Sequence, residues 1–263
     1  MVRLMKKYLL DLRVTENIQL HPTCCLMKLT SDKRLPEMIP GQFAEVRVDD
    51  SPKTFLRRPL SIHFVDKKNN ELWLLIQVVG EGTCRLANYM PGETLNVMLP
   101  LGNGFSAPQA NDEAQLLLIG GGVGIAPLLY LGDTLKSIGF SPEFLLGARS
   151  KEFILQLDEF EKIGKVYITT EDHSMGERGF ITNHSILQAK KIDKIYACGP
   201  QPMMLAVAQY AKATDIDCEV SLENRMACGI GACLCCVENT VKGNVCVCTE
   251  GPVFNINQLT WRI

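Results

Sequence analysis

At residue 115 the hydrophobic pattern of this 263-residue chain changes its period, and that switch limits the architectures open to it. Before it, apolar residues alternate with polar ones in short runs. Leu9-Leu10-Asp11-Leu12-Arg13-Val14 alternates as a half-buried strand should, and Cys24 to Leu29 does so more weakly. Pro40-Gly41 turns the chain into Gln42-Phe43-Ala44-Glu45-Val46-Arg47-Val48, a second clear alternation. Glu71 to Val79 is β-rich, and Pro91-Gly92 leads into Thr94 to Leu99. Short strands separated by Pro/Gly turns predict an antiparallel β-barrel.

After the switch, Leu116-Leu117-Leu118-Ile119 is a continuous apolar run, the mark of a strand buried on both faces. Further strands fit Glu143 to Leu146, Lys165 to Thr169, Lys194 to Cys198 and Cys218 to Leu222. An apolar helix follows the glycine stretch to about Lys136, and further helical stretches fall near Ile154 to Lys162, His184 to Lys190 and Pro202 to Lys212. This alternation predicts a doubly wound parallel sheet. Ser106 to Ala114, polar and containing Pro108, reads as the linker between the two parts. A second boundary falls near Glu223, so the expected division is 1–108, 109–222 and 223–263.

Two stretches of the barrel carry chemistry. In Leu56-Arg57-Arg58-Pro59-Leu60-Ser61 a guanidinium precedes a φ-locked proline and a hydroxyl, a group that suits a phosphate beside a flat ring. In Gly80-Glu81-Gly82-Thr83, bare amides and a threonine open the helical segment Cys84 to Tyr89 and form an anion site. Taken singly, each is better explained by a solvated arginine pair or an ordinary cap; about twenty residues apart, the two together point to a ligand. In the second part, Gly120-Gly121-Gly122-Val123-Gly124-Ile125-Ala126-Pro127 follows the first buried strand. It is not the G-x-G-x-x-G fingerprint, because proline stands where the third glycine belongs. Its glycines still permit close approach to a pyrophosphate, and Pro127 is suited to a first helical turn. Cys198-Gly199-Pro200 ends a late strand on the carboxyl edge, where ligands bind in such sheets.

The most specific signal is Arg225-Met226-Ala227-Cys228-Gly229-Ile230-Gly231-Ala232-Cys233-Leu234-Cys235-Cys236, with Cys248 before Gly251-Pro252. Cys228, Cys233 and Cys236 have the C-x4-C-x2-C order of a plant-type [2Fe–2S] site, and a fourth thiolate returns after a short excursion. Strand alternation puts Cys246 and Cys248 on the same face, so periodicity does not choose between them. Zinc is the rival, since Cys233 and Cys236 alone have C-x2-C spacing, and it would make the chain a structural or binding module. Six of the eleven cysteines lie between Cys228 and Cys248. With no signal-like h-region after Met1 to Lys7, this uneven placement points to metal in a reducing cytoplasm rather than to a disulfide framework. A net charge of −2 and a pI near 6.1 give no footprint for nucleic acid, and no run is long enough to span a membrane. His21, His63, His173 and His184 form no metal or catalytic spacing.

On these residues the chain resembles the ferredoxin–NAD(P) reductase family. Arg58-Pro59-Leu60-Ser61 is similar to its flavin motif, Gly82-Thr83 to its flavin pyrophosphate contact, and Gly120 to Pro127 with Cys198-Gly199-Pro200 to its nicotinamide-dinucleotide motifs. The cysteine stretch through Glu250-Gly251-Pro252-Val253-Phe254 narrows the resemblance to the electron-transfer subunits of bacterial class 1B dihydroorotate dehydrogenases. The resemblance implies an FAD-binding barrel, an NAD-binding α/β domain and a small C-terminal [2Fe–2S] domain. It implies flavin contacts at Arg58, Pro59, Leu60, Ser61, Leu75, Ile76, Gln77, Gly82 and Thr83, although Gln77 stands where arginine is expected. It implies nicotinamide-dinucleotide contacts at Gly121, Gly122, Gly124, Pro127, Cys198, Gly199 and Pro200, and cluster ligation by Cys228, Cys233, Cys236 and Cys248. Glu171-Asp172 follows a strand end, where Asp172 can accept ribose hydroxyls, and this favours NAD over NADP. The implied partner is an FMN-containing dihydroorotate dehydrogenase subunit, in a heterotetramer of two of each, with electrons running from FMN through cluster and FAD to NAD+. A reductase subunit of a related complex, such as an NADH-dependent ferredoxin:NADP oxidoreductase or a sulfide dehydrogenase, shares the cofactors and differs in partner.

Overall fold

The computed structural model describes residues 6–49, 53–108 and 114–263; most of the expected linker lies outside them. The first part is a closed six-stranded antiparallel barrel in the order β1-β2-β5-β4-β3-β6. Its strands are β1 (Tyr8–His21), β2 (Cys24–Thr30), β3 (Phe43–Val46), β4 (Arg58–Asp66), β5 (Glu71–Gln77) and β6 (Thr94–Leu101). Inward-facing Leu12, Val14, Leu29, Val46, Ile62, Leu72, Leu74, Leu95, Val97 and Leu99 fill it. β1 runs longer than its alternation indicated, because register shifts at Val14/Glu16 and Gln19/His21 reset the pattern. A short helix, α1 (Glu81–Ala87), follows β5, and the Asn17 amide of β1 donates to the carbonyls of Ala87 and Tyr89 at its end.

The second part is a seven-stranded sheet in the order β10-β9-β8-β7-β11-β12-β15. β7 (Leu116–Gly121), β8 (Glu143–Ala148), β9 (Val166–Thr170), the two-residue β10 (Glu177–Arg178), β11 (Lys194–Cys198) and β12 (Asp217–Ser221) are parallel. The helices are α2 (Ala126–Ser137), α3 (Leu157–Ile163), α4 (Ile186–Ala189) and α5 (Gln201–Ala213). Phe144 of β8 meets Phe160 of α3 edge-on, with ring centroids 5.0 Å apart. At the opposite end of the strands from the glycine loop, buried Lys194 reaches Asp217 (2.9 Å) and Glu219 (3.2 Å) and donates to Ser106 Oγ (2.9 Å). That network fixes the residue at which the linker enters the sheet.

The C-terminal segment adds a two-stranded ribbon, β13 (Val237–Thr240) with β14 (Gly243–Cys246), then α6 (Val247–Glu250) and β15 (Val253–Asn255). β15 pairs antiparallel with β12, with Phe254 opposite Val220. By contacts the chain forms two compact units. One is the chain up to Gly104 with Asn224–Glu238 and Cys246–Pro252; the other is Phe105–Glu223 with Asn239–Val245 and Val253–Ile263. Among the described residues no helix is long and apolar enough to cross a membrane.

Candidate cofactor sites

In the barrel unit, β4 sits between β3 and β5, which places the Arg58–Ser61 motif beside Leu75, Ile76 and Gln77. All four motif residues are half-exposed. Arg58 Nη1 donates to the Leu56 carbonyl (2.7 Å), and this aims the guanidinium across the chain. It lies directly over Gly82, where an added Cβ would fall 2.6 Å from Arg58 Nε. Two motifs about twenty residues apart in sequence thus meet: without a side chain at Gly82 the guanidinium, whose fixed fork suits a phosphate, sits against the first turn of α1. Thr83 is buried, and its hydroxyl accepts from the Val79 (2.9 Å) and Gly80 (3.2 Å) amides while donating to the Gly80 carbonyl (3.0 Å). It shapes the turn. Leu75 and Ile76 are buried, so what they offer to a ligand is backbone; Gln77 is exposed.

The same unit carries the thiols. Gly229 has φ +66°, which suits a residue without a Cβ, and one added there would lie 2.9 Å from Glu45 Cγ and 3.0 Å from Leu101 Cδ1. The loop is therefore seated against β3 and β6. Its amides point at sulfurs: Ile230 N–H donates to Cys228 Sγ (3.5 Å), Gly231 N–H to Cys248 Sγ (3.1 Å), and Cys248 N–H to Cys236 Sγ (3.4 Å). Val247 N–H donates to the Cys236 carbonyl (3.1 Å), closing the excursion. Burial pushes the Cys228 thiol up, but the amides of Ile230, Cys233 and Ala232 and the Cys233 side chain outweigh it and bring it to about 6. Cys248 is pushed up to about 12 by burial and by the Cys236 side chain.

The thiols lie within reach of one another: Cys228 interacts with Cys233, and Cys236 with both Cys246 and Cys248. Among the described residues no three His, Cys, Asp or Glu side chains converge as ligands of one ion. The C-x4-C-x2-C order of Cys228, Cys233 and Cys236, with Cys248 returned beside Cys236, is the ligand order of a cluster of two irons, with two thiolates for each. Cys246 touches the Gly231 carbonyl through Sγ (3.8 Å) and also interacts with Cys236. The alternation expected to run through Cys248 stops at Cys246, because α6 begins at Val247, so the two cysteines do not share a strand face. Cys235 is exposed.

In the sheet unit, β7 ends at Gly121, Gly122 to Ile125 form a single 3-10 turn, and α2 starts with Pro127 in its first turn. β11 lies directly beside β7, with Cys198 opposite Gly120. An added Cβ on Gly124 would fall 2.4 Å from Gly199 Cα, so the glycine loop and Cys198-Gly199-Pro200 are in backbone contact. Around Gly122 the same test meets nothing within 4 Å, which leaves the loop open on that side. The sheet runs β7-β8-β9 one way and β7-β11-β12 the other, so this opening is a topological switch point. Cys198 is buried, and burial holds its thiol far above its ordinary range. Asp172 lies beyond β9, two strands from the loop; its carboxylate accepts from Ser174 Oγ (2.6 Å) and N (3.0 Å), which holds it below the usual range.

Sequence reasoning missed Glu45. In its alternating run it reads as an outward, solvent-facing residue, and it does face outward. A loop more than 180 residues later covers it completely.

Comparison with known proteins places these features in a family. Residues 223–260 match the model of the iron-sulfur cluster binding domain of dihydroorotate dehydrogenase B. The dihydroorotate dehydrogenase B (NAD(+)) electron transfer subunit of Fusobacterium nucleatum is 39% identical over 250 residues, 93% of this chain and 95% of that protein. The subunit of the same name from Geobacillus sp. (strain WCH70) is 40% identical over 223 residues, 84% of this chain and 86% of that protein. Among solved structures, that of NADH-dependent reduced ferredoxin-NADP oxidoreductase superposes with a TM-score of 0.84 at 28% identity, covering 95% of this chain and 90% of that one. The ferredoxin reductase of carbazole 1,9a-dioxygenase, at a TM-score of 0.69 and 19% identity over 81% of this chain and 68% of its own, shares the fold.

Proposed function

The chain belongs to the family of dihydroorotate dehydrogenase B (NAD(+)) electron transfer subunits, and from that membership we infer how its residues divide the work. It is an oxidoreductase subunit that binds FAD and a [2Fe–2S] cluster and uses NAD. When bound, these groups supply the one-electron and hydride chemistry that links the flavin of a catalytic subunit to NAD+. The chain itself supplies binding, orientation and electrostatics; no acid–base residue is required of it.

The observation that carries this reading is that the thiols and the flavin motif belong to one compact unit, with the loop of Cys228 seated on β3 and the flavin motif on neighbouring β4. Arg58 and Gly82 hold the flavin pyrophosphate, Pro59, Leu60, Ser61 and Gln77 flank the ring and ribityl chain, Leu75 and Ile76 offer backbone, and Thr83 shapes the turn. Cys228 and Cys233 take one iron, Cys236 and Cys248 the other. Gly121, Gly122, Gly124, Pro127, Cys198, Gly199 and Pro200 receive the dinucleotide, with Asp172 on the adenine ribose favouring NAD over NADP. The functional division is flavin 1–108, dinucleotide 109–222 and cluster 223–263. The partner is an FMN-containing dihydroorotate dehydrogenase subunit, two of each in a heterotetramer in the cytoplasm, where the free state of all eleven cysteines is maintained.

The test is the isolated chain. It is expected to contain FAD, iron and sulfide, to reduce dyes with NADH faster than with NADPH, and to oxidise dihydroorotate only when the partner is added. A colourless, zinc-loaded chain, or dihydroorotate turnover without any partner, would sink the reading. The likeness to NADH-dependent reduced ferredoxin-NADP oxidoreductase favours a second reading, a reductase subunit of such a complex. Purification with a large glutamate-synthase-like iron–sulfur subunit, instead of an FMN dehydrogenase, selects it.

A further inference from the structure

Glu45 is completely buried, and neither carboxylate oxygen has a hydrogen-bond partner. It projects from the outer face of β3, opposite Pro59 of the flavin motif on one side and Met98 on the other. The cluster loop closes over it, with an added Gly229 Cβ 2.9 Å from its Cγ. The nearest cations are committed elsewhere. Arg57 Nη1 donates to the main-chain oxygen of Glu45 (3.2 Å) and to the Asn96 carbonyl (3.0 Å), and Nη2 to Asn96 Oδ1 (2.5 Å). Arg58 holds the Leu56 carbonyl and covers Gly82. Burying an unpaired carboxylate is among the costliest arrangements in a protein interior, and an apolar residue of the same length packs this position without the cost.

We propose that Glu45 sets the reduction potential of the cluster, its carboxylate lying under the loop of Cys228 where it opposes the arrival of an electron. The proposal rests on the cluster reading given above. Net charge near the sulfurs is one of the levers by which a protein moves an iron–sulfur potential, and in low dielectric a nearby unpaired charge acts strongly; burial pushes the Glu45 carboxyl up to about 7, so its charge is fully present only above that pH. Its effect is to favour passage of the electron onward over retention.

The experiment is an EPR-monitored redox titration at pH 8.5 of the full chain carrying FAD and cluster, with iron and sulfide counted on the same samples. Glu45→Gln is expected to make the cluster easier to reduce, lowering the one-electron equilibrium constant for passing its electron to a fixed acceptor about tenfold, a rise of about 59 mV. Glu45→Asp, which keeps the charge, is expected to remain near the wild-type potential. Glu45→Met, neutral and similar in length, repeats the shift if glutamine impairs cluster loading. A glutamine variant with full iron and the wild-type potential overturns the proposal, as does an aspartate variant shifted as far as glutamine. Loss of the cluster from both neutral variants also overturns it, making the residue structural. A wild-type chain without iron and sulfide removes the cluster reading itself, and the proposal with it.

Discussion

Gly231 is held between two sulfurs, with its N–H on Cys248 Sγ and its carbonyl against Cys246 Sγ, and this decides how the two cysteines differ. An amide donor stabilises a thiolate, whereas a carbonyl oxygen repels one. Cys248 is 1% exposed, and burial with the Cys236 side chain pushes its thiol up to about 12, so a metal bound there would displace a proton. Cys248→Ser is therefore expected to lose most of the iron, while Cys246→Ser retains it and keeps the visible spectrum. Equal iron loss in both, measured colorimetrically on purified protein, would show that the two thiols exchange as ligands. The ligand order C-x4-C-x2-C is plain in the sequence. The choice between Cys246 and Cys248 is not, because it depends on where a strand gives way to the one-turn helix α6.

At the scale of elements, the hydrophobic period carried most of the information. β7, β8, β9, β11 and β12 fall where apolar blocks predict them, since a parallel strand buried on both faces has little choice of composition. β4 does not stand out as a strand, because Arg57-Arg58-Pro59 interrupts the pattern at its start and a register shift between Ile62 and Phe64 breaks its alternation. β15 is three residues long and is a strand only because β12 offers it an edge, so no local pattern announces it. The contact between the β7–α2 turn and the end of β11 is equally non-local. Gly124→Ala tests it: a methyl group 2.4 Å from Gly199 Cα forces two backbones apart. Overpacking of this kind costs about 1–3 kcal/mol. If that cost falls on dinucleotide binding, the NADH KM in dye reduction rises by about tenfold or more, while the FAD spectrum is unchanged. An unaltered KM would place the dinucleotide elsewhere.

For the whole molecule, the residues after Glu223 are shared between the two compact units. Residues 224–238 and 246–252 complete the barrel unit, and 239–245 and 253–263 complete the sheet unit. Deleting 223–263 should thus lower the unfolding temperature of what remains. It bares Glu45, Met98 and Leu101 on the barrel and leaves β12 as an unpaired edge. A truncated chain that melts at the full-length temperature in calorimetry would mean the segment is an independent appendage. The broad layout was visible in the sequence because each unit obeys one periodicity; this sharing was not, because it rests on non-local contacts, Gly229 against Glu45 in the barrel unit and Phe254 opposite Val220 in the sheet unit. Its consequence reaches into biosynthesis. A ribosome delivers residues 6–222 first, so each unit waits, with an apolar patch or a bare strand edge open, for a segment made later. The thiol site is finished only when Cys246–Pro252 has been made and has closed the barrel unit, which ties cofactor loading to completion of that unit and leaves stalled chains exposed to chaperones and proteases.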